Sequence, residues 1–336
     1  MDMKAWSRSL IGMAHKKALP VLSFPSISLL NITVRDLIAS EDAQAEGMAM
    51  IARRTPSLAS VSMMDLSVEA EAFGAQPRFS DGEVPTIVGA LLQDEDGARA
   101  LAVPEVGAGR TGRYINAVKK AKSLIADRPV LAGVIGPFSL AGRLMGVSEA
   151  LVNCYDDPDF VHAALEKATE FLKKYILAYR AAGADGVVMA EPLAGLLSPK
   201  LVAEFSCDYV KDIVSAVQTD DFIVIYHNCG NNVLKQFPDI LAVGAAAYHV
   251  GNAVDIRAVL EVAPKDVPIM GNIDPASQFL QGTPESIREA TLSLMNELCP
   301  VYPNFVISSG CDIPPLAPWA NIDAFYRAVE EYNGRG

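Results

Sequence analysis

Histidine is scarce in this chain, with four residues in 336, and so is cysteine, with five. An odd number of widely spaced cysteines is no disulfide framework; thiols or metal ligands are expected instead. There is no lysine- or arginine-rich block, and the net charge is −12. An acidic surface repels phosphate backbones, so nucleic acid is not an expected partner. Residues 1–24 contain lysines and arginines but neither a continuous apolar core nor a small-residue cleavage site, so the cytoplasm is the expected location. The longest apolar stretch, VLAGVIGPFSLAGRLMGV (residues 130–147), is broken by Gly136-Pro137 and interrupted by Arg143. It reads as strand, turn and helix, not as a membrane span. Low-complexity segments, Pro/Ser-rich linkers and fixed-period repeats are also missing, so residues 1–336 are expected to form a single domain.

What is present is an alternation. Eight short apolar or β-branched runs are separated by helical stretches: ALPVLSF near Val21, SLASVSMM near Val61, VLAGVIG, GVVMAE, FIVIYHN, GAAAYHV, VPIMGN and NFVISSG. Between them lie segments such as DFVHAALEKATEFLKKYILAYRAAG, which ends at Gly183, a C-cap glycine by position. Near-continuous hydrophobic strands alternating with helices predict an α/β fold with a parallel sheet covered by helices. Eight units suggest a (β/α)8 TIM barrel, with an open doubly wound sheet as the alternative. Residues 65–129 separate the second strand from the third, so an elaborated N-terminal region is expected there. In a barrel the C-terminal strand ends build the active site. That face would carry Asp65, Pro137, Glu191, His227, Cys229, Asn252, Asn272 and Cys311.

Within this set, His227 and Cys229 stand two apart at the end of FIVIYHN, and in an extended segment such residues share a face. Cys311 follows the last predicted strand, and converging strand ends would bring it to the same mouth. One imidazole and two thiolates suit Zn2+ and leave a fourth position open, as in catalytic sites. Buried thiols and a histidine satisfied by a carbonyl are the competing account of the same residues. Glu191, before Pro192, is a candidate fourth ligand, proton acceptor or orienting carboxylate; its structural alternative is capping the helix that begins near Ser198. Asn252 and Asn272 are candidates for cofactor contact, and His249 for the cavity wall. His15 and His162 fall in helical stretches as surface or packing residues, and Cys154, Cys207 and Cys299 as core thiols. GAGRTG (residues 107–112) matches a dinucleotide-binding pattern letter for letter. Pro104 occupies the place where the required preceding strand would need an N–H, so a mobile loop is expected instead.

GPFSLAGRLMG, YDDPDFV, AGADGVVMAEP, GNIDP, GTPESI and SSGCDIPPLAPWANIDAF together resemble the signatures of the uroporphyrinogen decarboxylase superfamily. Within it, the chain looks like the zinc methyltransferases of cobalamin-dependent methyl transfer, the methylcobalamin:coenzyme M methyltransferase type. The likeness is clear from about Val130 onward and weaker before it. It implies a (β/α)8 barrel, with His227, Cys229 and Cys311 matching the branch's H-x-C…C zinc ligands. It also implies methyl exchange between a corrinoid and a small thiol, amine, ether or folate-type partner. The porphyrin decarboxylases of the superfamily carry an arginine-rich stretch after the first strand and a histidine in the C-terminal loop; here PVLSFPSISLL has no arginine, and Cys311 stands in that loop. No D-x-H-x-x-G cobalamin signature is present, so the corrinoid is expected on a separate protein. A decarboxylase acting on a carboxylated ring is the alternative enzyme, and a non-catalytic binding protein on the same scaffold the third reading.

Overall fold

The structure is a computed structural model and describes residues 1–334. Its sheet strands are β1 (Ser60–Val61), β4 (Val130–Ile135), β5 (Gly186–Ala190), β6 (Ile223–Asn228), β7 (Ala247–Val250), β8 (Ile269–Ile273) and β9 (Phe305–Ser309); β2 (Gln76–Arg78) and β3 (Thr86–Val88) form a separate antiparallel pair. The seven strands of the main sheet pair in parallel in the order β1-β4-β5-β6-β7-β8-β9. Helices connect them, the longest being Pro158–Ala181, which stops two residues before Gly183, where φ is +98°. A positive φ is nearly free for glycine alone, which is why the chain turns there.

The run around Val21 is not a regular strand. Pro20 has no N–H to give to a ladder. Residues 18–22 nevertheless bridge the two edges of the sheet: Leu19 N–H donates to Ile307 O at 3.1 Å, and Leu58 N–H donates to Ala18 O at 2.9 Å. Val21 N–H is satisfied by the Ser309 hydroxyl at 3.0 Å instead of by backbone. Seven strands, not eight, are therefore regular, and the sheet curls so that both edges meet one segment.

Alternation along the strands divides two apolar clusters. Leu131, Val188, Ala190, Ile223, Ile225, Ala247, Met270 and Val306 point to the concave face, where Leu19, Val61 and Met64 join them. Val187, Met189, Val224, Tyr226 and Tyr248 point outward to the helices. Each fully buried aliphatic side chain contributes about 1.5–3 kcal/mol relative to exposure. The alternation thus fixes which polar residues at the strand ends can enter the concave face.

The region between β1 and β4 is elaborated as expected, with the β2–β3 pair and the helices Val68–Ala72, Glu95–Ala100 and Thr111–Leu124. Within the GAGRTG segment, Arg110 is not solvated. It is buried and paired with both Asp65 and Glu71, while Tyr114 OH donates to Asp65 at 2.7 Å. Asp65 therefore belongs to a buried ionic network and does not line an open mouth. Among the described residues no helix is long and apolar enough to cross a membrane.

Candidate metal centre

His227 lies in register between Ala190 of β5 and His249 of β7. It shares the concave face with Ile225 and Ile223, two and four residues before it, as the strand period requires. After β6 the chain turns on Asn228, whose side-chain oxygen accepts from Gly230 N–H at 2.9 Å. That turn places Cys229. Gly251, at the end of β7, must lack a side chain here, because a Cβ on it would lie 2.4 Å from the Cys229 Cα. Cys311 follows β9, where Gly310 N–H donates to Ile273 O at 2.6 Å. One ligand atom each from His227, Cys229 and Cys311 lie within 4.8 Å of one another. The Cys311 sulfur is 3.4 Å from His227 Nε2.

The hydrogen bonds around His227 determine its tautomer. Ser308 OH donates to Leu19 O at 2.7 Å, which uses its single proton. The contact of 2.7 Å between Ser308 Oγ and His249 Nε2 therefore requires His249 Nε2–H as donor. Burial, reinforced by neighbouring His227, holds the His249 imidazole well below its ordinary pKa, so the ring is neutral and its Nδ1 is an acceptor. His227 Nδ1, 2.7 Å away, must then carry a proton. The His249 backbone carbonyl, 3.2 Å from the same nitrogen, is a second acceptor for it. His227 Nε2 is left with a lone pair directed at the thiols, the state a metal-binding imidazole needs.

The thiols are also prepared. The Cys229 thiol donates to the Cys311 sulfur, which pulls Cys311 well below the ordinary thiol range, against the effect of burial, and pushes Cys229 above it. The remaining cysteines behave differently. Burial pushes the thiols of Cys154 and Cys207 up to about 12, so both stay protonated in the core. His162 packs on Phe205 and contacts Tyr209 OH at 2.7 Å, and His15 is exposed beside Glu330.

The structure does not bring Glu191 to this cluster. It continues the outward-facing parity of Val187 and Met189. Its two oxygens accept from Phe138 N–H at 2.6 Å, Ser139 N–H at 3.0 Å and Ser139 OH at 2.7 Å. It thus caps a helix, but the one spanning Pro137–Met145, not the one near Ser198. Gly136 leaves the space for it, since a Cβ there would fall 2.2 Å from the Glu191 side chain. Burial raises the carboxyl to about 7 despite these donors. Asn272 uses its amide N–H groups on Gly251 O and Val254 O, at 3.0 and 2.9 Å, and so pins the loop after β7. Asn252 is exposed at the rim, packed against Gly310 next to Cys311.

Sequence reading missed the part played by His249 and Ser308. A histidine at the same parity on the neighbouring strand was the available signal, but register is needed to pair it with His227.

A family model described as Uroporphyrinogen decarboxylase (URO-D) matches residues 27–332. The chain belongs to this family. Its relatives include the methylcobamide:CoM methyltransferase MtbA of Methanosarcina acetivorans, 26% identical over 298 residues that span 86% of each protein. They also include a uroporphyrinogen decarboxylase of Methylobacillus flagellatus, 26% identical over 313 residues, 89% of this chain and 86% of the relative. A solved methyltransferase from Methanosarcina mazei superposes with a TM-score of 0.84 at 22% identity, covering 99% of both chains. The two chemistries of the family are thus represented at equal identity, and the choice between them falls to the site.

Proposed function

We propose that this protein is a zinc-dependent methyltransferase that moves a methyl group between a corrinoid protein and a small thiol or related methyl carrier. The carrying observation is the gathering of His227, Cys229 and Cys311 within 4.8 Å at the strand ends. Two sulfurs and one imidazole lone pair are the donor set of an open zinc site, and two thiolates balance the ion's double charge. The tautomer imposed by His249 and the lowered Cys311 thiol fit the same ion. When bound, zinc supplies a Lewis acid that favours the thiolate or polarises a methylated heteroatom at neutral pH. The chain's own residues supply the three donors and hold His227 in its metal-binding tautomer. Glu191 has no part in this proposal beyond fixing the helix Pro137–Met145. The corrinoid arrives on a separate protein docking over the mouth, with Asn252 at the rim of that contact. The proposal includes closure of the curled sheet as one (β/α)8 domain, with residues 18–22 as the eighth stave.

Decarboxylation of a carboxylated ring is the second reading, supported by the family's name and by the decarboxylases among the relatives. Against it stands the stretch PVLSFPSISLL, which offers no arginine, and whose residues Val21, Leu22, Phe24 and Ile27 are buried in apolar clusters. Zinc per chain, measured in protein purified without chelators, separates the readings. About one zinc in the parent and much less in Cys311→Ser is expected. No zinc in either would remove methyl transfer and leave metal-free decarboxylation to be assayed.

A further inference from the structure

Cys229 and Cys311 are neighbours whether or not a metal joins them. The Cys229 thiol donates to the Cys311 sulfur, and the two sulfurs lie within 4.8 Å of each other. Both residues are half-buried, whereas Cys154 and Cys207 are enclosed in the large apolar cluster, where Cys154 donates to Ala150 O at 3.1 Å. Cys299 caps the helix Pro284–Leu298 and packs against that same cluster. Of the five cysteines, then, two meet sulfur to sulfur at the strand ends.

Small oxidants can reach this pair. Cys229 lines a cavity of about 330 Å³, and Val147 and Leu196 on its wall are exposed, so it opens to solvent. Both cysteines also stand outside the ladders, Cys229 just past β6, which ends at Asn228, and Cys311 past β9, which ends at Ser309. A bond of about 2.0 Å between the sulfurs therefore asks for side-chain rotation and a loop adjustment, with no strand displaced.

We infer that Cys229 and Cys311 form a peroxide-responsive dithiol: while the site holds no metal, hydrogen peroxide links them in a disulfide that shuts zinc out, and a reducing thiol restores the site. The Cys311 sulfur attacks one peroxide oxygen; the O–O bond breaks, a sulfenic acid forms and one water leaves. The Cys229 sulfur then attacks the Cys311 sulfur; the S–S bond forms, the S–O bond breaks and a second water leaves. Both thiol hydrogens end in the two waters, so the dithiol gives up two electrons and the peroxide takes them. Because the second thiol is already in contact, this closure outruns further oxygenation of Cys311. The disulfide removes two of the three donors, and with them the charges that balance the ion. Bound zinc has the opposite effect, because it engages the lone pairs with which the sulfurs would attack.

The consequence for zinc rests on the methyl-transfer reading, and the experiment keeps the two apart. Zinc per chain is counted in protein purified under reducing conditions. One portion is stripped of metal with a chelator, and both portions receive a stoichiometric amount of hydrogen peroxide. Intact mass, a non-reducing peptide map and zinc uptake are then measured. The stripped parent is expected to lose the mass of two hydrogen atoms and to yield a linked peptide pair joining Cys229 to Cys311. Its zinc uptake is expected to vanish and to return on addition of dithiothreitol. The zinc-loaded portion is expected to stay reduced over the same time. Cys229→Ser, with no second thiol in contact, is expected to gain oxygen atoms on Cys311 instead. Oxygen added to Cys311 in the stripped parent, a link to another cysteine, or a disulfide that leaves zinc uptake unchanged overturns the inference while the zinc count stands. A reduced parent that neither holds nor takes up zinc overturns the methyl-transfer reading, and this inference falls with it; the metal count tells the two failures apart.

Discussion

Leucine and asparagine have nearly the same shape, and at position 249 they differ in one property that matters: only asparagine can offer an oxygen where the His249 Nδ1 now accepts from His227. His249→Leu removes the 2.7 Å contact that holds the His227 proton on Nδ1 and its lone pair on Nε2. A hydrogen bond between neutral groups nets about 1–1.5 kcal/mol, or roughly tenfold in an equilibrium constant. Loss of a partner that orients a metal-binding histidine weakens metal affinity by about 10–100-fold. The lower end applies here, because the backbone carbonyl of residue 249 remains 3.2 Å from the same nitrogen. Zinc affinity measured by competition with a chromophoric chelator at neutral pH should therefore fall about tenfold in His249→Leu. It should recover most of that in His249→Asn. Thermal unfolding of the metal-free proteins separates this effect from a general loss of packing, which would lower both variants together. Equal zinc affinity in the two variants, whether parental or weakened, would refute the tautomer argument.

Two buried carboxyls supply further tests. Glu69 accepts from Ile135 N–H at 3.1 Å through one oxygen, its other oxygen has no partner, and burial raises it from 4.5 to about 7. A raised carboxyl is protonated more readily in the folded chain than in the unfolded one, so its contribution is complete below about pH 4.5 and is lost as pH rises toward 7. The shift corresponds to about 3 kcal/mol. Glu69→Gln should flatten the decline of Tm between pH 5 and pH 8, and an unchanged slope would exclude Glu69 as its source. Glu191→Ala removes the acceptor for two helix-terminal N–H groups and should cost about 1–2 kcal/mol in unfolding free energy by denaturant titration, with zinc per chain unchanged. Loss of zinc from a folded Glu191→Ala would instead place that carboxylate in the metal site.

Strand identity was legible wherever the apolar run was continuous and any proline stood before the strand, as Pro268 does before Ile269–Ile273. VLAGVIG, GVVMAE, FIVIYHN, GAAAYHV, VPIMGN and NFVISSG all contain strands of one parallel sheet. The run around Val21 misled because its composition is that of a strand while Pro20 cannot donate to a ladder. Local period suggested the pairing of His227 with Cys229, although Cys229 stands past the end of β6 and the turn on Asn228 places it; Cys311 could be added because parallel strands expose all their C-terminal ends on one side. Glu191 was misjudged for a related reason. It stands at the right end of its strand, but parity turns it to the helices, and parity becomes certain only once neighbouring residues are seen to be buried on opposite faces.

Composition, strand period and motif spacing thus determined the class of fold and the three metal-donor candidates, because both are set by backbone geometry over a few residues. The tertiary structure alone decided which strand neighbours which, and so which histidine donates to which. It also decided which carboxylate caps a helix. Those outcomes depend on groups far apart in sequence competing for the same few hydrogen-bond partners in a space that excludes water.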